Sequence, residues 1–139
     1  MSSVSDLPEA LLGELIAAAR KASERAHCPY SRFRVGAAVL TNDGRIVAGC
    51  NVENASYGLT ICAERNAVFA AVHQGMTSLH AVAIFTPTGE PVTPCGACRQ
   101  VLREFARDVP VVSECASGVR LHRTLGMLLP DSFGPESLA

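Results

Sequence analysis

Four residues of this chain have the types and spacing that metal-assisted proton transfer requires. Cys95-Gly96-Ala97-Cys98 is a Cys-x-x-Cys pair, and Cys62-Ala63-Glu64 lies upstream of it. A Cys-x-x-Cys by itself fits a redox pair, half of a zinc site or chance. Adding Cys62 and Glu64 narrows the choice. Zinc binds thiolates tetrahedrally, and its catalytic sites leave the fourth position to water, so three cysteines without an obvious fourth ligand fit an open site. Glu64 follows Cys62 by two residues. Beside a metal, such a carboxylate exchanges protons with water and with a substrate.

Three thiolates over-neutralise a divalent ion and would leave a bound water less acidic than neutral ligands do. Both cysteine groups fall at expected helix starts, where unpaired N–H groups and the helix dipole favour anions. Arg65, next to Glu64, is expected to offset more of the charge by hydrogen bonding to ligand sulfur. Two other readings compete. A structural zinc site needs a fourth ligand, for which Cys115, His73, His80 and His122 are candidates without the usual spacing. A thioredoxin-like role for Cys95 and Cys98 leaves Cys62 and Glu64 unexplained. Cys28, Cys50 and Cys115 read as small buried hydrophobes, and His27, His73, His80 and His122 as surface or interface residues.

The elements that must position these groups follow from periodicity. Residues 1–5 read as a flexible end. Asp6 is expected to cap a helix with Pro8 in its first turn, Glu9 completing a capping box, and Leu12, Leu15, Ile16, Ala19, Ala22 and Ala26 on one face, ending at Cys28-Pro29-Tyr30. Phe33–Leu40 and Arg45–Cys50 read as strands joined by Asn42-Asp43-Gly44, a hairpin signal. Asn51–Thr60 reads as a long loop. A helix from Cys62 to Gly75, apolar on most sides, is expected to be central and buried. Leu79–Phe85 suits a strand covered on both faces. A helix over Gly96–Arg107 with Val101, Leu102 and Phe105 on one side, a buried strand at Val109–Ser113, a short fifth strand at Val119–His122, a helical turn at Leu125–Leu129 and an irregular tail complete the chain. Helix, hairpin, then alternating strands and helices imply one α/β domain over 1–139, with helices on both faces of a mixed sheet.

Composition limits function. The chain has 139 residues, 48 % hydrophobic and 18 % charged, with a net charge of −1. Its basic residues are scattered and Arg20–Arg25 includes Glu24, which argues against a nucleic-acid partner. The apolar excess fits a subunit that buries surface against copies of itself. No positive stretch followed by an apolar core suggests a leader, and no apolar run is long enough to span a membrane. A cytoplasmic protein with reduced cysteines is expected.

In and beyond the zinc motif, four segments resemble one family. Cys28-Pro29-Tyr30-Ser31-Arg32-Phe33-Arg34-Val35-Gly36-Ala37-Ala38 is similar to the N-terminal signature of small zinc-dependent cytidine deaminases. Gly49 to Tyr57 (GCNVENASY), Pro94 to Gln100 (PCGACRQ) and Leu128 to Gly134 (LLPDSFG) are similar too, in the family's order. The resemblance covers roughly 10–138, and only Glu114–Met127 matches loosely. It implies a three-layer α/β/α fold with a mixed five-stranded sheet. It implies one zinc per subunit held by Cys62, Cys95 and Cys98, with Glu64 carrying protons from water to the pyrimidine and then to the leaving amine. It further implies that the Ala63 backbone meets the base, that Phe33 stacks on it, and that Asn51 and Glu53 hold the ribose hydroxyls. A homotetramer is implied, with Tyr57 and Phe133 at positions shared between subunits. A carboxylate at 53 would accept from a sugar hydroxyl and repel a phosphate, which favours a free nucleoside, cytidine or deoxycytidine, in pyrimidine salvage. The competing readings are a deaminase of another amino-heterocycle such as blasticidin S, and a non-catalytic zinc-stabilised module. Adenosine deaminases acting on transfer RNA and guanine deaminases usually have histidine where Cys62 stands and are disfavoured.

Overall fold

The computed structural model describes residues 7–139. The expected loose end over 1–5 and the Asp6 cap lie outside the described residues. The first helix, α1, runs Glu9–Ser23 with Pro8 in the N-cap position and no side-chain cap. Pro8, expected two residues inside the helix, is instead its N-cap. Its carbonyl accepts the Leu12 N–H at 2.9 Å, the first helical bond. The helix also ends earlier than expected, because the Arg34 guanidinium takes the carbonyls of Glu24 (3.1 Å) and Ala26 (3.3 Å). A helix end whose carbonyls are met this way needs no further turn.

Five strands follow: β1 (Gly36–Thr41), β2 (Ile46–Cys50), β3 (Leu79–Thr86), β4 (Pro110–Cys115) and β5 (Arg120–Thr124). They form one sheet in the order β2-β1-β3-β4-β5. Only the β3–β4 pair is parallel; the others are antiparallel. The fifth strand, in the segment of loosest resemblance, lies one to two residues later than expected and pairs Val112 with His122. The strand expected from Phe33 begins only at Gly36. The Asn51 side chain explains this: its Oδ1 accepts the Val35 N–H (2.9 Å) and its Nδ2 donates to the Phe33 carbonyl (2.8 Å). An amide side chain stands where a neighbouring strand would be.

Helices cover both faces, giving the three layers. On one face Leu12, Leu15, Ile16 and Ala19 of α1 pack on Ala38, Leu40, Ala81, Ala83, Phe85 and Val112. On the other, α2 (Ala63–His73), α3 (Gly96–Phe105) and the short α4 (Leu125–Leu128) pack on Ala37, Val39, Val82, Ile84 and Val111. Successive strand residues thus point to opposite cores, the period-two alternation of a sheet buried on both sides. Helix α2 departs from expectation. It buries Ala63, Ala67, Val68 and Ala71, but Phe69 and Val72 on its far side are 50 % and 42 % exposed in the single chain. The tail, expected to be irregular, ends in a 3-10 turn at Pro135–Leu138.

Two close approaches fix the helices on the sheet. A Cβ at Gly36 would lie 1.8 Å from the Ala19 carbonyl oxygen, and one at Gly49 would lie 2.5 Å from the Ala67 backbone nitrogen. Both obstacles are helix backbone, which cannot yield without moving the helix. Gly36→Ala is therefore expected to lower unfolding stability by at least about 3 kcal/mol, the scale of severe overpacking. Gly13→Ala, on the exposed side of α1 with nothing within 4 Å, is expected to raise it by about 0.5–1 kcal/mol. Urea unfolding of the two variants checks both signs.

Candidate metal centre

Cys62 is the N-cap residue of α2, Cys95 is the N-cap residue of α3, and Cys98 lies in the first turn of α3. Neither cap makes a side-chain cap hydrogen bond, so both thiols are free for other use. The three sulfurs lie within 4.8 Å of one another. Cys62 Sγ and Cys95 Sγ are 3.9 Å apart. Tetrahedral zinc with bonds of about 2.3 Å separates its sulfur ligands by about 3.8 Å, so the Cys62–Cys95 pair matches that ion and the three-thiol donor set suits it. Among the described residues this is the one group of three or more Cys, His, Asp or Glu side chains close enough to share a metal. Cys115, His73, His80 and His122 do not join it, and all four histidines are exposed. Cys28 and Cys115 are buried, and Cys50 is partly so.

The electrostatics suit thiolates. Arg65 Nη2 donates to Cys62 Sγ at 3.3 Å. A hydrogen bond from Cys98, together with the Arg65 guanidinium, draws the Cys62 pKa down to about 5. Cys98 moves upward, because its proton is shared with Cys62 and its sulfur is buried. Arg65 in turn is held more firmly protonated by Cys62. Its Nε is buried with no partner.

Glu64 is 5 % exposed, in the first turn of α2. Burial, reinforced by the charge on Cys62, raises its pKa to about 7. A carboxyl with that value can both take and give a proton near neutrality. Ala63, between it and Cys62, is fully buried.

A second cluster is joined to the first through backbone. Val52 pairs with Ile61, the residue before Cys62, by reciprocal N–H to O bonds of 3.0 Å. The same stretch pairs with His27 on its other side, through His27 N–H to Asn51 O (3.0 Å) and Glu53 N–H to His27 O (2.7 Å). Asn51 and Glu53 are thereby held between the Cys28–Phe33 segment and Cys62. Phe33 is 40 % exposed and Asn51 is buried. Tyr57, 73 % exposed, places its ring 5.6 Å from that of Tyr30. Phe133 lies apart, on the C-terminal segment, where Gln100 of α3 donates to its carbonyl at 2.9 Å and its ring is exposed.

Sequence reading did not single out Arg99 or Ser31. Arg99 ties the loop before Cys95 in place, donating to Pro94 O (2.7 Å), Thr93 Oγ1 (3.0 Å) and Leu128 O (2.7 Å). Both stand in segments that resemble the family, but nothing in those segments gave either residue a role of its own.

Comparison with known proteins gives a concordant result. Residues 11–113 match the family model described as the cytidine and deoxycytidylate deaminase zinc-binding region. A cytidine deaminase of Sporosarcina psychrophila is 48 % identical over 127 residues, 91 % of this chain and 93 % of the relative. One of Mycobacterium tuberculosis is 49 % identical over 120 residues, 86 % of this chain and 87 % of the relative. The crystal structure of cytidine deaminase from Burkholderia pseudomallei superposes with a TM-score of 0.83 at 48 % identity, covering 87 % of this chain and 98 % of that one.

Zinc-edge X-ray absorption of the purified protein is expected to show three sulfur neighbours and one light atom, with one zinc per chain by elemental analysis. Four protein ligands would mark the site as structural.

Proposed function

The chain belongs to the cytidine and deoxycytidylate deaminase family, and on that premise we propose how its residues carry out zinc-dependent hydrolytic deamination of cytidine and deoxycytidine to uridine and deoxyuridine plus ammonia. The observation that carries this reading is the buried Glu64 on the first turn of the helix that begins at Cys62, beside a three-sulfur cluster with no fourth protein ligand among the described residues.

When bound by Cys62, Cys95 and Cys98, zinc acts as a Lewis acid that lowers the pKa of water toward neutrality. Glu64 accepts a proton from the attacking water and delivers it to N3 of the pyrimidine, while C4 becomes tetrahedral. Glu64 then carries the second water proton to the C4 amino group, ammonia departs and the C4 carbonyl forms. The pKa near 7 suits a group that must do both. The Ala63 backbone meets the base and Phe33 stacks on it. Arg65 reduces the excess negative charge through its bond to Cys62. Asn51 and Glu53 hold the ribose hydroxyls. Arg34, a cation near that loop, spends its Nη1 on the carbonyls of Ser23, Glu24 and Ala26 and is poorly placed to receive a phosphate. A nucleoside is therefore favoured over a nucleotide, and the reaction fits pyrimidine salvage.

A homotetramer, with Tyr57 and Phe133 contributing to neighbouring sites, accounts for the exposed aromatic side chains and for the unpartnered Phe69 and Val72 on α2. Among the described residues no helix is long and apolar enough to cross a membrane, and the six cysteines are unpaired, as suits a reducing cytoplasm.

Ultraviolet absorbance is expected to change on mixing zinc-loaded protein with cytidine or deoxycytidine, and not with cytidine monophosphate or blasticidin S. Glu64→Ala should keep its zinc and lose about 10²–10⁴-fold in kcat, the usual worth of general acid–base catalysis. No turnover of either nucleoside by the wild type would sink the reading. Arg65→Gln is expected to weaken zinc retention or turnover by about 10–100-fold; unchanged zinc affinity and turnover would remove Arg65 from the site.

A further inference from the structure

The Glu53 carboxylate receives hydrogen bonds from two consecutive residues. The N–H groups of Tyr30 (2.9 Å) and Ser31 (3.2 Å) reach Oε1, and the Ser31 hydroxyl donates to Oε2. The same hydroxyl oxygen accepts the Phe33 N–H at 3.0 Å. Between them Arg32 holds φ at 59°, a left-handed conformation that a residue with a side chain adopts only when its surroundings impose it. Among the described residues, Ser31 is the one whose side chain hydrogen-bonds both Glu53 and the backbone of Phe33.

An ionised carboxylate offers about four acceptor positions. Three are filled here, two on Oε1 and one on Oε2, so Oε2 keeps room for one more donor. A sugar hydroxyl is a donor of the right kind. Which way that remaining position faces depends on what turns the carboxylate, and the bond to Oε2 itself comes from Ser31.

We propose that Ser31 is a positioning residue for the deamination: its hydroxyl aims the free acceptor of Glu53 at the sugar and couples that carboxylate to the segment that presents Phe33 to the base. The proposal rests on the functional reading of Glu53 and Phe33 given above. The Ser31 hydroxyl is also the largest cause of the lowered Glu53 pKa, as expected of a donor that favours the charged carboxylate. Ser31 lies on an exposed loop, so its replacement does not threaten the core.

Steady-state kinetics on cytidine, with zinc-loaded wild type, Ser31→Ala, Glu53→Ala, the double variant and Ser31→Thr, test it. Ser31→Ala is expected to raise KM about 10-fold, the scale of one hydrogen bond to a charged group, and to leave kcat within about 2-fold. Ser31→Thr should recover most of the loss. In the Glu53→Ala background the Ser31→Ala change should have little further effect, since the group it positions is gone. An unchanged KM in Ser31→Ala, or the same fold loss with and without Glu53, overturns the proposal while wild-type turnover leaves the functional reading intact. A wild type inactive on cytidine overturns both.

Discussion

The demand behind this structure is to gather negative charge in one partly buried place. Three cysteine sulfurs and a carboxyl come together at the start of α2 and α3, and if ionised, like charges about 4 Å apart repel by about 4 kcal/mol even at an effective dielectric constant of 20. A divalent ion answers most of this. The protein answers the rest with fixed dipoles and one cation. Cys62 and Cys95 are cap residues and Cys98 lies in a first helical turn, so all three stand at helix N-termini, where backbone N–H groups lack helical partners and the dipole favours negative charge. Arg65 is on the same turn of α2 as Glu64 and reaches back to Cys62. The helix that carries the buried Glu64 therefore also carries the Arg65 cation, and a shift of that helix would move both.

Keeping α2 in place falls to the sheet beneath it. Gly49 lets β2 touch the helix backbone at Ala67, and Ala63, Ala67, Val68 and Ala71 make the contact face. Asn66 adds a polar tie, donating to the carbonyls of Cys50 (2.8 Å) and Ile61 (3.4 Å). From Ile61 the backbone pairing continues through Val52 to His27. The loop that holds Asn51 and Glu53 is thus a narrow continuation of ordered structure from Cys62 outward.

Much of this was legible in the sequence, for identifiable reasons. Leu79–Phe85 could be read as a doubly covered strand because its apolar run is short and unbroken. The grouping of Cys62, Cys95 and Cys98, which the structure brings within 4.8 Å of one another, could be expected because Cys62 and Glu64 narrow what a Cys-x-x-Cys pair alone leaves open. Phe33–Val35 misled because its apolar and β-branched residues look like strand, while the partner that denies it a ladder is one amide side chain from sixteen or more residues away. The start of α1 shifted because Pro8 supplies a helical carbonyl without a side-chain cap. Helix α2 looked buried all round because Phe69 and Val72 are apolar, and composition does not say whether the chain itself or another copy covers them. Ser31 and Arg99 stayed silent because a lone serine or arginine has no periodicity, and its partners are set only by the fold.

The placement of the ligands on two different helices has a topological consequence. Cys62 and Cys95 are 33 residues apart, and an ion gripped by both closes a ring that contains all of α2 and all of β3, the middle strand of the sheet. A covalent cross-link over such a ring would restrict the unfolded chain by about 4 kcal/mol in the chain-entropy description, and a metal clasp acts in the same sense while it holds. The ion is then a fastener for the centre of the domain as well as a reagent. Slow hydrogen exchange at the β3 amides becomes a gauge of how fully the protein is metallated.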